Sequence, residues 1–226
     1  MNRVDELLAD ITSAMQVHDV ARLDALEAEL SSIDDLRAQA ACCRLRGHRH
    51  YINGDMHEAL KEFQQGLALF EQAADDVGIA DLANNCGNCH IQMNEPAEAD
   101  RYYARTLEIR ERLNDVHGVA NVLMNKAHAV KLAGDLESAV RSYWRAIEHG
   151  ERHHNEQFVA SAYLNLANVY GLLGDHRTSI ECATRGVEIA EHLGSPHHLT
   201  MLYRSLGNQH VALGEFEQAL VCHTQG

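Results

Sequence analysis

Apolar residues in the stretch from Val159 to His198 fall at helical spacing, with Ala162, Tyr163, Leu166, Val169, Tyr170 and Leu173 on one face. Gly174 then supplies a residue free to turn left-handed, which predicts the end of that helix. Asp175 predicts the start of a second helix, because a carboxylate there can accept from the unpaired N–H groups of the first turn and meet the positive end of the dipole. The second helix carries its own stripe at Val187. This pattern recurs along the chain every 40 residues: Leu67, Leu107, Ile147 and Val187 are equivalent, and Phe63, Tyr103 and Tyr143 stand one turn earlier. Asp55, Glu95, Asp135 and Glu215 repeat the acid of Asp175, and Pro96 sits one residue inside a helix start, where it removes no needed donor.

Small residues mark the register. Gly47, Gly87, Ala127, Ala167 and Gly207 form one column; Gly54, Asn94, Gly134, Gly174 and Gly214 a second; Ala59, Ala99, Ala139, Ser179 and Ala219 a third. A fixed period of this size means stacked helix pairs, and the first and third columns lie where the two helices of a pair cross closely. A bulky residue at Ala139 or Gly207 is expected to overpack that crossing.

These columns, with the turn glycine and the aromatic that follows the second-helix alanine, resemble the tetratricopeptide repeat. The resemblance implies an all-α, right-handed superhelical solenoid of antiparallel helix pairs. The usual unit of that family is about 34 residues. The longer unit here is similar to the kinesin light chain and Pins/LGN type, and the six extra residues are expected to lengthen the second helix and its exit loop. The chain departs from the family pattern where Arg46, Cys86 and Lys126 replace a usual leucine, and where His50, His90 and His210 stand in place of a common tyrosine.

Taken in order, Val4, Leu7, Leu8, Ile11 and Met15 predict one amphipathic helix, and Val20, Leu23, Leu26 and Leu30 a second that begins near Asp19. Residues 1–38 read as a degenerate N-terminal capping helix pair. The first helix of the first clear repeat runs from Asp35 to Asn53. Residues 39–226 read as the array, in units of about 39–78, 79–118, 119–158 and 159–198 with an incomplete 199–226. A repeat array normally ends in a polar capping helix, so this one is expected to continue beyond Gly226 or to be covered by another subunit. Two prolines and 46% apolar residues among 226 fit an all-helical chain. The first residues carry no basic run leading into an apolar segment, and no stretch approaches the length of a membrane span; the expectation is a cytoplasmic protein with reduced thiols. A net charge of −14 argues against nucleic acid and anionic membrane as partners.

The chemistry most worth following is on the first helices. Asn85, Asn125 and Asn165 are equivalent, continued by Ser205; Asn88, Asn168 and Asn208 are equivalent, with His128 among them. Three residues apart, the two columns share a helical face. In the resembled family the first helices line the concave surface, and asparagines of the motif seen here as NLAN at 165–168 contact the backbone of an extended peptide. An amide offers both donor and acceptor and so can pair a strand without demanding a sequence. Arg44, Lys131 and Arg204 fall on or beside that face and suit acidic side chains or a terminal carboxylate. The competing reading is that the amides bridge neighbouring helices.

Cys86-Gly-Asn-Cys89-His90 has the spacing of a c-type haem attachment site. The repeat phase explains Gly87 as a crossing residue and buries Cys86 and His90, so no cofactor is expected. Cys43, Cys86, Cys89 and His90 are on adjacent first helices and could form a zinc set, and His149, His153, His192, His197 and His198 form a second candidate cluster; buried thiols as small hydrophobes are the plainer reading. No catalytic motif is present, and the acid pairs Asp34-Asp35 and Asp75-Asp76 fit capping. The functional expectation is therefore a protein-binding, non-enzymatic scaffold. A regulatory input region of a larger signalling enzyme and a module that self-associates as a homodimer through its fifth repeat are the alternatives.

Overall fold

The computed structural model describes residues 3–16 and 20–225, and among them there are twelve α-helices and no strand. Two compact units divide the chain, Met1–Asn114 and Asp115–Gly226. The first holds α1 (Arg3–Gln16), α2 (Val20–Ser31), α3 (Leu36–Asn53), α4 (Met56–Gln72), α5 (Asp76–Gln92) and α6 (Pro96–Arg112). The second holds α7 (Val116–Leu132), α8 (Leu136–Arg152), α9 (Glu156–Leu172), α10 (His176–His192), α11 (Pro196–Ala212) and α12 (Phe216–Gln225). Asp19 and the side chains of Met15 and Val20 lie outside the described residues.

Every helix from α4 to α11 has 17 residues. The extra length relative to a shorter repeat is thus shared by both helices and both connections, and not confined to the second helix and its exit loop, as expected above: from α4 to α11 the helices are equally long, and from α4 to α12 each connection is three residues. The cause is a turn that repeats at half the sequence period. Gly54, Ala74, Asn94, Asn114, Gly134, His154, Gly174, Gly194 and Gly214 all hold positive φ. At Asp75, Glu95, Asn155, Asp175, Ser195 and Glu215 the next N–H bonds the carbonyl five residues back, at 2.8–3.0 Å. This is the closing bond of a Schellman end. The same residue then begins the next helix, so one short turn both ends a helix and starts another.

Only Gly and Asn hold that conformation at little cost. Ala74 and His154 hold φ of 53° with an L side chain, at roughly 1–2 kcal/mol each. Glycine there would lose about 0.5–1 kcal/mol in chain entropy. Ala74→Gly and His154→Gly are each expected to stabilise the protein by about 0.5–1 kcal/mol, seen as a higher urea midpoint; an unchanged or lower midpoint would contradict the turn assignment.

Acid capping is broader than the sequence pattern indicated, and it fails at three of the positions that the pattern named. Asp135 and Asp175 accept from Ser138 and Thr178 N–H as expected, and first helices are capped as well, by Asp35, Asp75, Asp115 and Asn155. Asp55 and Glu95 make no side-chain cap bond. The longer Glu95 and Glu215 side chains turn back instead to Nδ1 of His90 and His210, each at 2.7 Å.

Consecutive helices pack on one another within each unit. First helices also touch: α1 with α3 and α3 with α5 in the first unit, α7 with α9 and α9 with α11 in the second. Second helices stand further apart: α4 and α6 meet through long side chains, Gln64 donating to the Tyr102 hydroxyl at 3.1 Å and Arg105 pairing with Glu71. First helices therefore form the tighter layer of each unit. In the first unit, Val4, Leu7, Ile11, Leu26 and Leu30 of α1 and α2 share a core with Ala38, Ala41 and Leu45 of α3. The small columns do mark the crossings. A Cβ added at Gly47 would stand 2.5 Å from the Phe63 ring, one at Gly87 2.6 Å from Tyr103, and one at Gly207 2.5 Å from His223. Ser179 Oγ donates to the Ala167 carbonyl across the pair at 2.6 Å.

Candidate peptide-binding surface

In the first unit, Asn85 and Asn88 of α5 are half-buried and line a recess of about 160 Å³ with His48, Tyr51 and Phe63. The Asn88 carbonyl is already engaged, accepting from the Tyr103 hydroxyl at 2.7 Å. Arg44 is mostly buried and bonds Asp81 at 3.2 Å, while Arg110 reaches the other oxygen of the same carboxylate. A larger recess of about 280 Å³ between α1, α3 and α5 is lined by Arg44 and Asp81 together with Arg37, which is held by Asp5 and Asp75 at 2.7 Å each. Cation and acid in this recess neutralise one another. Of the groups in this recess, Arg44 Nε is buried with no hydrogen-bond partner among the described residues.

In the second unit, Asn125 and Asn165 are half-buried, and His128, Asn168, Asn208 and Arg204 are exposed. Asn165 donates one N–H to the Ser161 carbonyl of its own helix at 3.0 Å, and Asn168 accepts from Ser205 of α11 at 3.2 Å. Arg204 donates to the Met201 sulfur at 3.1 Å. Desolvation by neighbouring side chains pushes Lys131 down, and the same partial desolvation of the otherwise exposed His128 ring, followed by the charge of Lys131, pushes His128 down. The amide columns thus serve two purposes: Asn88 and Asn168 tie helices together, while each retains amide N–H donors.

The cysteine and histidine candidates are drawn into the fold. Among the described residues no three His, Cys, Asp or Glu side chains converge as metal ligands, the set Cys43, Cys86, Cys89 and His90 included. Cys86 and Cys89 are fully buried, and burial raises both thiols to about 12, so they are packing groups and not thiolates. His90 bonds Glu95 and stacks on Tyr102 with centroids 5.3 Å apart, which accounts for the histidine of the C-x-x-C-H pattern. The five outer histidines do not converge as ligands either, among the described residues. His149 and His153 adjoin each other at 4.6 Å, His149 reaches the Val116 carbonyl, and His192 bonds Glu156. His198 is buried between the hydroxyls of Ser161 and Ser195, at 2.8 and 2.9 Å; burial, then His197, pushes it down.

Sequence reasoning missed the recess of about 320 Å³ between α7 and α9, lined by His117, Asn121, Asn155, Gln157, Phe158 and Ser161. Its signal lay in the period. Residues 117, 155, 157, 158 and 161 are 80 positions beyond 37, 75, 77, 78 and 81 of the α3–α5 recess, so the two occupy one register.

Antiparallel helix pairs at a forty-residue period, with first helices packed against first helices, define an all-α solenoid of the kind that scaffolds protein–protein contacts. The profile of the tetratricopeptide repeat matches residues 36–112 and 158–226, well over half of the chain, which therefore belongs to the tetratricopeptide-repeat family. Among the described residues no helix is long and apolar enough to cross a membrane. No curated protein matches the sequence. Solved structures share its fold. BtubC (BKLC) from P. vanneervenii is 22% identical with a TM-score of 0.69, covering 97% of this chain and 86% of its own. Nearly identical TPR-like repeats of kinesin light chain type from Podosopora anserina are 16% identical with a TM-score of 0.67, covering 84% of this chain and 92% of that one. A Rap protein in complex with Competence and Sporulation Factor is 15% identical with a TM-score of 0.69, covering 90% of this chain and 57% of that one.

Proposed function

We propose that this protein is a cytoplasmic adaptor that binds an extended peptide along the first helices of its second unit, α7, α9 and α11. The observation that carries the reading is the recurrence of Asn125, Asn165 and Ser205, and of His128, Asn168 and Asn208, at one register on successive first helices, with the second column largely exposed. Amides at fixed intervals match the alternation of N–H and C=O along a strand, and a prebuilt scaffold lowers the ordering cost of binding. Lys131 and Arg204 suit an acidic side chain or terminus of that peptide. That a Rap protein of the same fold was crystallised with Competence and Sporulation Factor is consistent with such a use.

The test is selection of twelve-residue peptides from a random display library on the wild-type protein. Binding of the selected peptides is then measured to Asn125→Ala/Asn165→Ala. Losing two amide contacts at about 0.5–1.5 kcal/mol each predicts roughly fivefold to 150-fold weaker binding, with far-UV circular dichroism unchanged. Equal affinity for the two proteins would remove the reading.

A further inference from the structure

The α3–α5 and α7–α9 recesses occupy the same register but differ in chemistry. Where the first has Arg37, Asp75 and Asp81, the second has His117, Asn155 and Ser161, and where the first has the apolar Val77, the second has Gln157. The first recess closes on itself, since Arg37 is held by Asp5 and Asp75, and Asp81 by Arg44 and Arg110. The second has no carboxylate, lysine or arginine in its lining.

Its polar groups divide into spent and available. Asn155 caps Phe158 N–H through its carbonyl at 3.2 Å and meets His117 Nδ1 at 3.5 Å. Ser161 is held by the Gln157 carbonyl and by His198. Among the described residues the side-chain amides of Asn121 and Gln157 make no hydrogen bond, and both are exposed at the mouth, on facing helices, with Phe158 as the apolar wall. Two carboxamides can satisfy the donor and the acceptor of a third together. They cannot neutralise a charge, and taking an unpaired charge out of water is costly.

We infer that the α7–α9 recess is a specificity pocket that takes an uncharged hydrogen-bonding side chain, a glutamine or asparagine of the bound peptide, through Asn121 and Gln157. This rests on the peptide-binding reading above.

The probe is a positional library of acetylated, amidated heptapeptides whose central residue is fixed in turn as Gln, Asn, Glu, Lys or Leu, the flanking positions being mixtures. Affinity selection with mass-spectrometric readout compares wild type, Asn121→Ala/Gln157→Ala and Gln157→Glu, each checked by circular dichroism. Wild type is expected to enrich Gln and Asn at least about tenfold over Glu, Lys and Leu, since each competitor, on covering the mouth, leaves the two amides or its own charge unpaired. The double variant should lose that preference while still retaining peptides through the amide columns. Gln157→Glu should move the preference to Lys. Peptide retention with no neutral preference, or a preference that survives in the double variant, overturns the pocket and leaves the adaptor reading standing. No retention of any peptide overturns both.

Discussion

Tyr103→Ala should destabilise the first unit by about 3–5 kcal/mol, the usual loss when a buried aromatic ring is removed from a close-packed site. The ring is 1% exposed and lies against the backbone of Gly87, so close that an added Cβ there would be 2.6 Å away. At Gly87 the opposing surface is backbone, which offers no side chain of its own to fill the space left by the ring. Tyr103→Phe separates the ring from its hydroxyl. It keeps the packing and strands only the half-buried Asn88 carbonyl, at about 0.5–1.5 kcal/mol. Urea unfolding followed by far-UV circular dichroism, with hydrogen exchange on α5 and α6, would measure both. If Phe costs as much as Ala, the hydroxyl network and not the crossing holds this pair together, and the role assigned to the small column is wrong.

Gly66→Ala is expected to cost about 1–3 kcal/mol even though alanine is the better helix former. An ideal Cβ at Gly66 would stand 2.7 Å from Leu82 Cδ1, 3.0 Å from the Ala40 carbonyl oxygen and 3.1 Å from Cys43 Cβ. A rotamer change at Leu82 relieves only the first of these; the other two are a carbonyl and a Cβ that move only with their backbone. Gly186 meets Leu202 at 2.6 Å in the same way. Eighty residues beyond Gly66 and Leu82, the same two positions are Ala146 and Ala162, both fully buried, so volume added on one helix is matched by volume removed from the other. The two sites should therefore couple. In a Leu82→Ala background the cost of Gly66→Ala is expected to fall without vanishing, because the Ala40 and Cys43 contacts remain, with a coupling energy of about 0.5–2 kcal/mol. Strict additivity in the double-mutant cycle would show that the helices shift apart instead of interlocking.

Much of this architecture is legible in the residues because its strictest demands are local. A left-handed turn residue selects Gly or Asn, and so Gly54, Asn94, Gly134, Gly174 and Gly214 announce the period. The same turn at Ala74 and His154 is invisible, since neither residue favours it; packing of the helices on either side imposes it. The caps divide likewise. Asp135 and Asp175 behave as their position suggests, but Glu95 and Glu215 do not, because each bonds a histidine five residues back, where Asp135 and Asp175 have Val130 and Tyr170.

The candidate site is legible only in outline. The amide columns follow from the period and the helical face alone. How they are used depends on groups far off in sequence: Tyr103 occupies the Asn88 carbonyl from 15 positions away, and Ser205 meets Asn168 from 37. The zinc and haem patterns fail for a related reason. Spacing brings Cys86, Cys89 and His90 onto one helix, but the fold buries the two thiols in a core and gives the imidazole to Glu95.

By itself, then, the sequence determined the repeat, its helix pairs, its family and the face on which polar side chains recur, because these follow from hydrophobic period and backbone preference. The tertiary structure alone decided which amides are spent, that Arg44 is paired with Asp81, and that one register makes a charged recess in the first unit and an uncharged one in the second. Those are outcomes of contact between helices, and the distance at which two side chains meet is not written in the order of either.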